Sequence, residues 1–191
     1  MNKTFIEERI FRKEDFSKKE LLKANYENCT FIDCIFQDSD FSNTNFSECE
    51  FKGCNMSMVK MTKVALKDVM FKECKLLGIH FENCNEFLFT VDFEGCILNL
   101  SSFYKLRLKK TRFKNCSLHE VDFTESDLSS STFENCDLTG ATFENTNLEK
   151  ADFRTSFNFS IDPELNRIKR AKFSMTGIAG LLNKYNIEIE N

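Results

Sequence analysis

Apolar residues recur every five positions along this chain. From Phe11 the series runs Phe16, Leu21, Tyr26, Phe31, Phe36, Phe41, Phe46, Phe51, Met56, Met61, Leu66, Phe71, Leu76 and Phe81; after a shift of two it resumes at Leu88, Phe93, Leu98 and Phe103 and continues to Phe153. A period of five matches neither the 3.6 of a helix nor the 2 of a flat strand. A short fixed repeat is instead the mark of a solenoid. Dealt in turn onto four sides of a square, 20 residues to a circuit, the central residues segregate by type. Side one holds Phe11, Phe31, Phe51, Phe71, Phe93, Phe113, Phe133 and Phe153. Side two ends in Leu76, Leu98, Leu118 and Leu138, side three holds Leu21, Phe41, Met61, Phe81, Phe103, Phe123 and Phe143, and side four ends in Leu66, Leu88, Leu108, Leu128 and Leu148. Such segregation requires residues 20 apart to lie over one another, about 4.8 Å apart as in a parallel sheet.

The residue two before each centre should also face inward, because side chains alternate along extended backbone. All nine cysteines fall there, and Cys34, Cys54, Cys74, Cys96, Cys116 and Cys136 form one ladder on side two. They lack the CxxC and Cys/His spacings of zinc sites, and a core that already repeats needs no disulfide framework. They read as small buried hydrophobes, inert as thiols. Unoxidised thiols and the lack of an apolar N-terminal run point to a cytoplasmic protein with neither signal peptide nor membrane span.

A rod of about seven coils, roughly 35 Å long and filled with Phe, Leu and Cys, has no room for a substrate inside. The two histidines, His80 and His119, sit at outward positions, and no GxSxG, HExxH, P-loop or GxGxxG occurs. Carboxylates such as Asp122, Glu125 and Asp127 have no cleft to dry them. We expect no enzyme and no cofactor or metal.

Segments such as ENCTFIDCIFQDSDFSNTNF and ENCDLTGATFENTNLEKADF resemble pentapeptide repeat proteins, whose motif is A(D/N)LxX with Leu or Phe at its centre. The resemblance covers about residues 11–158 and implies an all-β fold, a right-handed quadrilateral β-helix. Within that family the chain is most similar to the quinolone-resistance, Qnr-like group, with its weakly patterned first coil and a short C-terminal helix and strand that form dimers. That group's rod dimer resembles duplex DNA, binds DNA gyrase or topoisomerase IV and protects them from fluoroquinolones. The longer loops that contribute to protection there have no counterpart in this chain.

The domain organisation expected is a β-helix over 1–158, with 1–25 weakly patterned, an irregular last circuit over 159–174, and a helix and strand over 175–191. Met175, Ile178, Leu181, Leu182 and Tyr185 recur at helical spacing, and Ile187 to Glu190 alternate as a strand would. A solenoid needs its end covered. This segment is either a monomer's cap or one that also buries Leu182, Tyr185, Ile187 and Ile189 against a twofold mate.

Net charge is only −4, yet charge is banded along the chain. Residues 26–51 carry −6, residues 52–75 carry +4, residues 80–100 carry −4, residues 101–114 carry +6 and residues 115–153 carry −8. A C-terminal homodimer would bring two −8 bands together, an anionic midsection built on Asp122, Asp127, Asp137 and Glu144 that meets the basic saddle of a type II topoisomerase as a DNA mimic. The competing view is that outward turn positions favour acids for solubility alone, which leaves a generic protein-interaction scaffold. The basic arc 105–114 lacks aromatic interleaving beyond Tyr104 and covers part of one coil, so it reads as solvated, with no direct nucleic-acid contact and no membrane contact expected. Met58, Leu77, Ile97 and Leu100 project outward from side two on successive coils, an apolar patch of the kind that marks partners.

Overall fold

Residues 20 positions apart pair as parallel neighbours in the computed structural model, which describes residues 4–188, and the offset becomes 22 or 23 only across the slip near residue 86. On side four, β1 (Phe5–Glu7), β3 (Asn25–Glu27) and β5 (Asn45–Ser47) stack in order. On side one, β2 (Ile10–Arg12), β4 (Thr30–Ile32) and β6 (Glu50–Lys52) do the same. The strand β7 (Ala65–Lys72) turns the corner and joins both ladders, and β8 (Phe89–Glu94), β9 (Arg112–Lys114) and β10 (Thr132–Glu134) continue side one. Sides two and three are held by single-residue parallel bridges such as Ile35 with Asn55 and Asp122 with Thr142.

Stacking by 20 places like on like inside. Nine phenylalanines of side one, Phe11 to Phe173, form a continuous stack with ring centroids 4.6–5.5 Å apart and planes within 14° of parallel. Rings of side three cross them edge-on, as Phe103 does Phe113 at 6.0 Å and 83°. Both arrangements suit the ring quadrupole.

The corners are left-handed. The residue two after most centres takes positive φ, for example 52° at Asp33, 62° at Asn43 and 53° at Glu48. Corners then come in two kinds. In closed corners the next inward residue donates its N–H to the centre's carbonyl, as Ser39 does to Phe36 at 2.9 Å. The residue before the centre commonly accepts the N–H two positions on: Ser42 donates to Asp40 at 2.8 Å and Thr124 to Asp122 at 2.8 Å. Open corners lack the turn bond, and eight of the nine cysteines, all but Cys84, stand at them. Each of these thiols donates to the carbonyl two residues back, 3.2–3.5 Å away. Most of them also reach a centre carbonyl in the coil below, as Cys54 reaches Phe31 at 3.4 Å. All nine thiols are buried and unbonded to one another; burial pushes Cys49 up to about 12 and raises Cys84 as well, as expected of inert thiols.

Two expectations change. The slip near residue 86 places Phe89, not Leu88, over Leu66 on side four. Asn85 holds the place above Ala65, a 3-10 turn over Glu86–Leu88 bulges outward, and Phe87 is left 94% exposed. The C-terminal helix is replaced by two 3-10 turns, Ile178–Leu181 and Asn183–Tyr185. Gly180 accounts for this, since its carbonyl accepts from Ile161 at 2.9 Å and a Cβ there would collide with the Phe159 carbonyl. Ile187 and Glu188 lie in no strand, and the rest of the expected strand, Ile189 included, lies outside the described residues. The last circuit leaves the register after Phe157, which still bridges Asp137 on side two, and Phe159 and Ile161 enter the core. Register resumes at Asn166 on side four, where Arg167 bridges Asn147.

Phe113 lies between Phe93 and Phe133, at 5.2 and 4.9 Å, with none of its surface exposed. Phe113→Ala should therefore cost about 3–5 kcal/mol. Urea unfolding followed by far-UV circular dichroism measures this, and a loss under about 1 kcal/mol would show that the stack is not the stabilising core.

Candidate interaction surfaces

With the interior closed by side chains, chemistry is confined to four outer sides, and these differ. Side one is an ion-pair zipper. Lys72 meets Glu50 at 2.7 Å, Arg112 meets Asp92 at 2.7 Å and Lys114 meets Glu94 at 2.9 Å, each pair one coil apart. Arg154 and Lys172 share Asp152. Exposed pairs like these contribute little stability, but they cancel the charge of that side. Half of the basic arc seen in sequence is neutralised this way, since Lys105 likewise pairs with Glu125.

Side two brings together Met58, Leu77, Ile97 and Leu100. Ile97 lies in one bridged column with Ile35, Asn55, Lys75 and Ser117, and Phe157 ends that column. Met58 and Leu100 occupy left-handed corners, φ 58° and 61°, on either side of Gly78, and the Met58 sulfur leans over that glycine. Bulky residues pay for positive φ, yet both side chains are more than half exposed, at 56% and 55%. The same column holds Asp38, Glu120 and Gly140 elsewhere.

The four proposed acidic residues do not share a side. Asp122 and Glu144 lie on side three, in coils joined by the Asp122–Thr142 bridge. Asp127 is on side four, where its carboxylate accepts from Ser129 N–H and the Asn147 amide, both at 2.9 Å. Asp137 is on side two and accepts from the Thr139 hydroxyl at 2.7 Å and the Asn158 amide at 3.0 Å, with His119 Nε2 at 2.8 Å. Three of the four are thus turn acceptors, half-buried against their own corners, and Glu144 alone is exposed. A sequence signal for this role existed: each of these aspartates stands two before a Ser or Thr. Side three and its edges gather a different acidic ridge, in which Glu120 and Glu125 flank Asp122 and Glu144 follows one coil on.

At the C-terminus, Leu182 is half-buried while Tyr185 and Ile187 are exposed. Tyr185 hydroxyl donates to Glu164 at 3.1 Å, and Lys184 ties the end to Asp162 and Glu164 at 2.8 and 2.6 Å. Met175 and Ile178 add further exposed apolar surface. An open cleft of about 690 Å³ separates this segment from side two, lined in part by Thr139, Phe157 and Asn183. Among the described residues no helix is long and apolar enough to cross a membrane.

A stack of five-residue sides with a solid core and functional chemistry confined to its faces defines a solenoid of the pentapeptide class. The pentapeptide repeat region model matches residues 11–86 and 87–157, and the chain belongs to the pentapeptide repeat family. Among solved structures it is similar to QnrB1, a plasmid-mediated fluoroquinolone resistance protein, with 20% identity over 98% of this chain and 100% of the other and a TM-score of 0.50. It is also similar to HetL, a pentapeptide repeat protein involved in heterocyst differentiation regulation in the cyanobacterium Nostoc, with 14% identity over 93% and 89% of the two chains and a TM-score of 0.44. No curated protein matches the chain in sequence.

Partial burial opposes ionisation of Asp137, but the bonds from Thr139, Asn158 and His119 outweigh it and lower the carboxyl to about 2. A depressed carboxyl stabilises the fold above its unfolded value and loses that contribution as pH falls from about 4 through 2. Carboxyl NMR titration should place the Asp137 midpoint near 2. In Asn158→Ala and Thr139→Ala the midpoint should move upward, and no movement would show that these bonds do not hold it down.

Proposed function

We propose that this protein is a non-enzymatic docking rod that binds a type II topoisomerase, DNA gyrase or topoisomerase IV, as a mimic of duplex DNA and modulates its response to fluoroquinolones. The observation that supports this best is the ridge of Glu120, Asp122, Glu125 and Glu144 along side three and its edges, on coils joined by parallel bridges. Carboxylates gathered on two successive coils, with Glu125 also paired to Lys105, present a cluster of negative charge to a basic groove, and such complementarity governs encounter and register. The Qnr-like character of the repeats and the likeness in fold to a fluoroquinolone resistance protein select the enzyme to be tested. The protein acts in the cytoplasm in this reading. Two copies joined through Leu182, Tyr185 and Ile187 would set the two acidic ridges on either side of the dimer centre.

One observation favours a second reading, that of a scaffold for a different protein. Met58 and Leu100 hold exposed apolar side chains in left-handed corners, an arrangement that stability alone does not select. In that case side two is the docking face and its partner presents an apolar surface.

A gyrase supercoiling and ciprofloxacin-cleavage assay separates the two. Asp122→Lys with Glu144→Lys should weaken inhibition or protection at least tenfold, while Leu77→Lys with Ile97→Lys should leave it unchanged. The opposite pattern would assign docking to side two, and no response at micromolar protein would remove the topoisomerase reading. Oligomeric state is measured independently by light scattering. The expected mass is that of a dimer, reduced to a monomer in Leu182→Glu, and a wild-type monomer would eliminate the C-terminal interface.

A further inference from the structure

Side four gathers cations that lie far apart in sequence. The coil at 107–110 presents Arg107, Lys109 and Lys110, the coil at 147–150 presents Lys150, and the coil at 167–170 presents Arg167, Lys169 and Arg170. The register is fixed by the bridges Arg107 to Asp127, Asp127 to Asn147 and Asn147 to Arg167, and by Lys150 N–H donating to the Lys169 carbonyl at 3.0 Å. All seven side chains are exposed. Among the described residues only Arg167 has an ion-pair partner, Glu149 at 2.7 Å. The contrast with side one is sharp, because there each cation from Lys72 onward has an ion-pair partner. Against seven positive charges, these four coils set only Asp127 and Glu149 on the same side.

We propose that side four, from residue 107 to residue 170, binds the phosphate backbone of a nucleic-acid duplex without reading its sequence. The solvated arc expected from sequence covered part of one coil; the fold extends it to a face by stacking 167–170 three coils above. Those two cationic rows are roughly 14 Å apart at 4.8 Å per rung, so long Lys and Arg side chains can reach phosphates on both lips of a minor groove about 6 Å wide. Between them Ser129, Ser130 and Asn147 are side chains of the kind that hydrogen-bond phosphate oxygens. Within these four coils the face carries no aromatic side chain on which a single strand could stack and no exposed apolar one to enter a lipid surface; the exposed Phe87 borders it one coil below. The net charge of −4 does not forbid binding, since at physiological salt the Debye length is about 8 Å and the acids of other sides are screened. This face is distinct from the acidic ridge, so the topoisomerase reading can fail without it and the reverse.

Fluorescence anisotropy with a labelled 20-bp DNA duplex of mixed sequence, titrated at 50 to 200 mM KCl, tests the proposal. With six unpaired cations engaged, log K should fall against log salt with a slope of about −5. Replacing Lys109, Lys110, Lys150 and Lys169 with Gln should reduce the slope to about −2 and weaken binding at least tenfold at 50 mM. A control that removes four exposed cations from other sides, Lys13, Lys52, Lys60 and Lys75 to Gln, should bind as the wild type does. No duplex binding by the wild type at micromolar protein in 50 mM KCl would overturn the proposal without reference to any variant. Equal loss in the control, tighter binding to the single strand, or binding to vesicles with 30% phosphatidylserine but not to duplex would each overturn it too.

Discussion

Parallel pairing at a single rung, residue n over residue n + 20, is the constraint on which everything else in this protein rests. A rung spacing near 4.8 Å is too short for a large side chain to sit over a small one without leaving a void or a clash. The interior therefore stacks apolar on apolar in every coil, and like on like most completely in the nine-ring column from Phe11 to Phe173. Close packing of that kind leaves nothing open inside, so any chemistry the protein performs is exerted from its sides.

The corners carry the cost of closing a square every 20 residues. Positive φ at Asp33, Asn43, Glu48 and their equivalents is tolerated because a dense ladder on each side over-determines the backbone. Asp and Asn before the centre accept the next free N–H, and buried thiols stand in where the turn bond is missing. Residue types that elsewhere mark catalysis or metal binding are here parts of the scaffold. For that reason Asp127 and Asp137, which look like partner-binding charges, are held mainly by their own turns.

Four sides with separate chemistry follow from the same geometry. Adjacent positions in sequence diverge onto different faces, while positions 20 apart converge. Charge bands that alternate along the chain become a cancelled face on side one, an acidic ridge on side three and a cationic face on side four. Side two, opposite the cations, is the least charged and carries the apolar corner residues Met58 and Leu100.

The period of five and its fourfold grouping were legible in the residues themselves, because side-chain size at each rung is a local demand that every coil repeats. So were the inward cysteines and the slip near Glu86. The slip's detail was not: whether Leu88 or Phe89 fills side four depends on which one reaches over Leu66 once the turn at 86–88 has formed. The C-terminal turns were likewise hidden, since Gly180 abuts Phe159 only after the last coil has folded beneath it. Repetition thus wrote the interior into the sequence. The exterior was decided by tertiary structure, because its charges act through distances between coils, and those distances bring Lys110 near Lys150 and Arg170 while setting Asp122 and Asp137 on different sides.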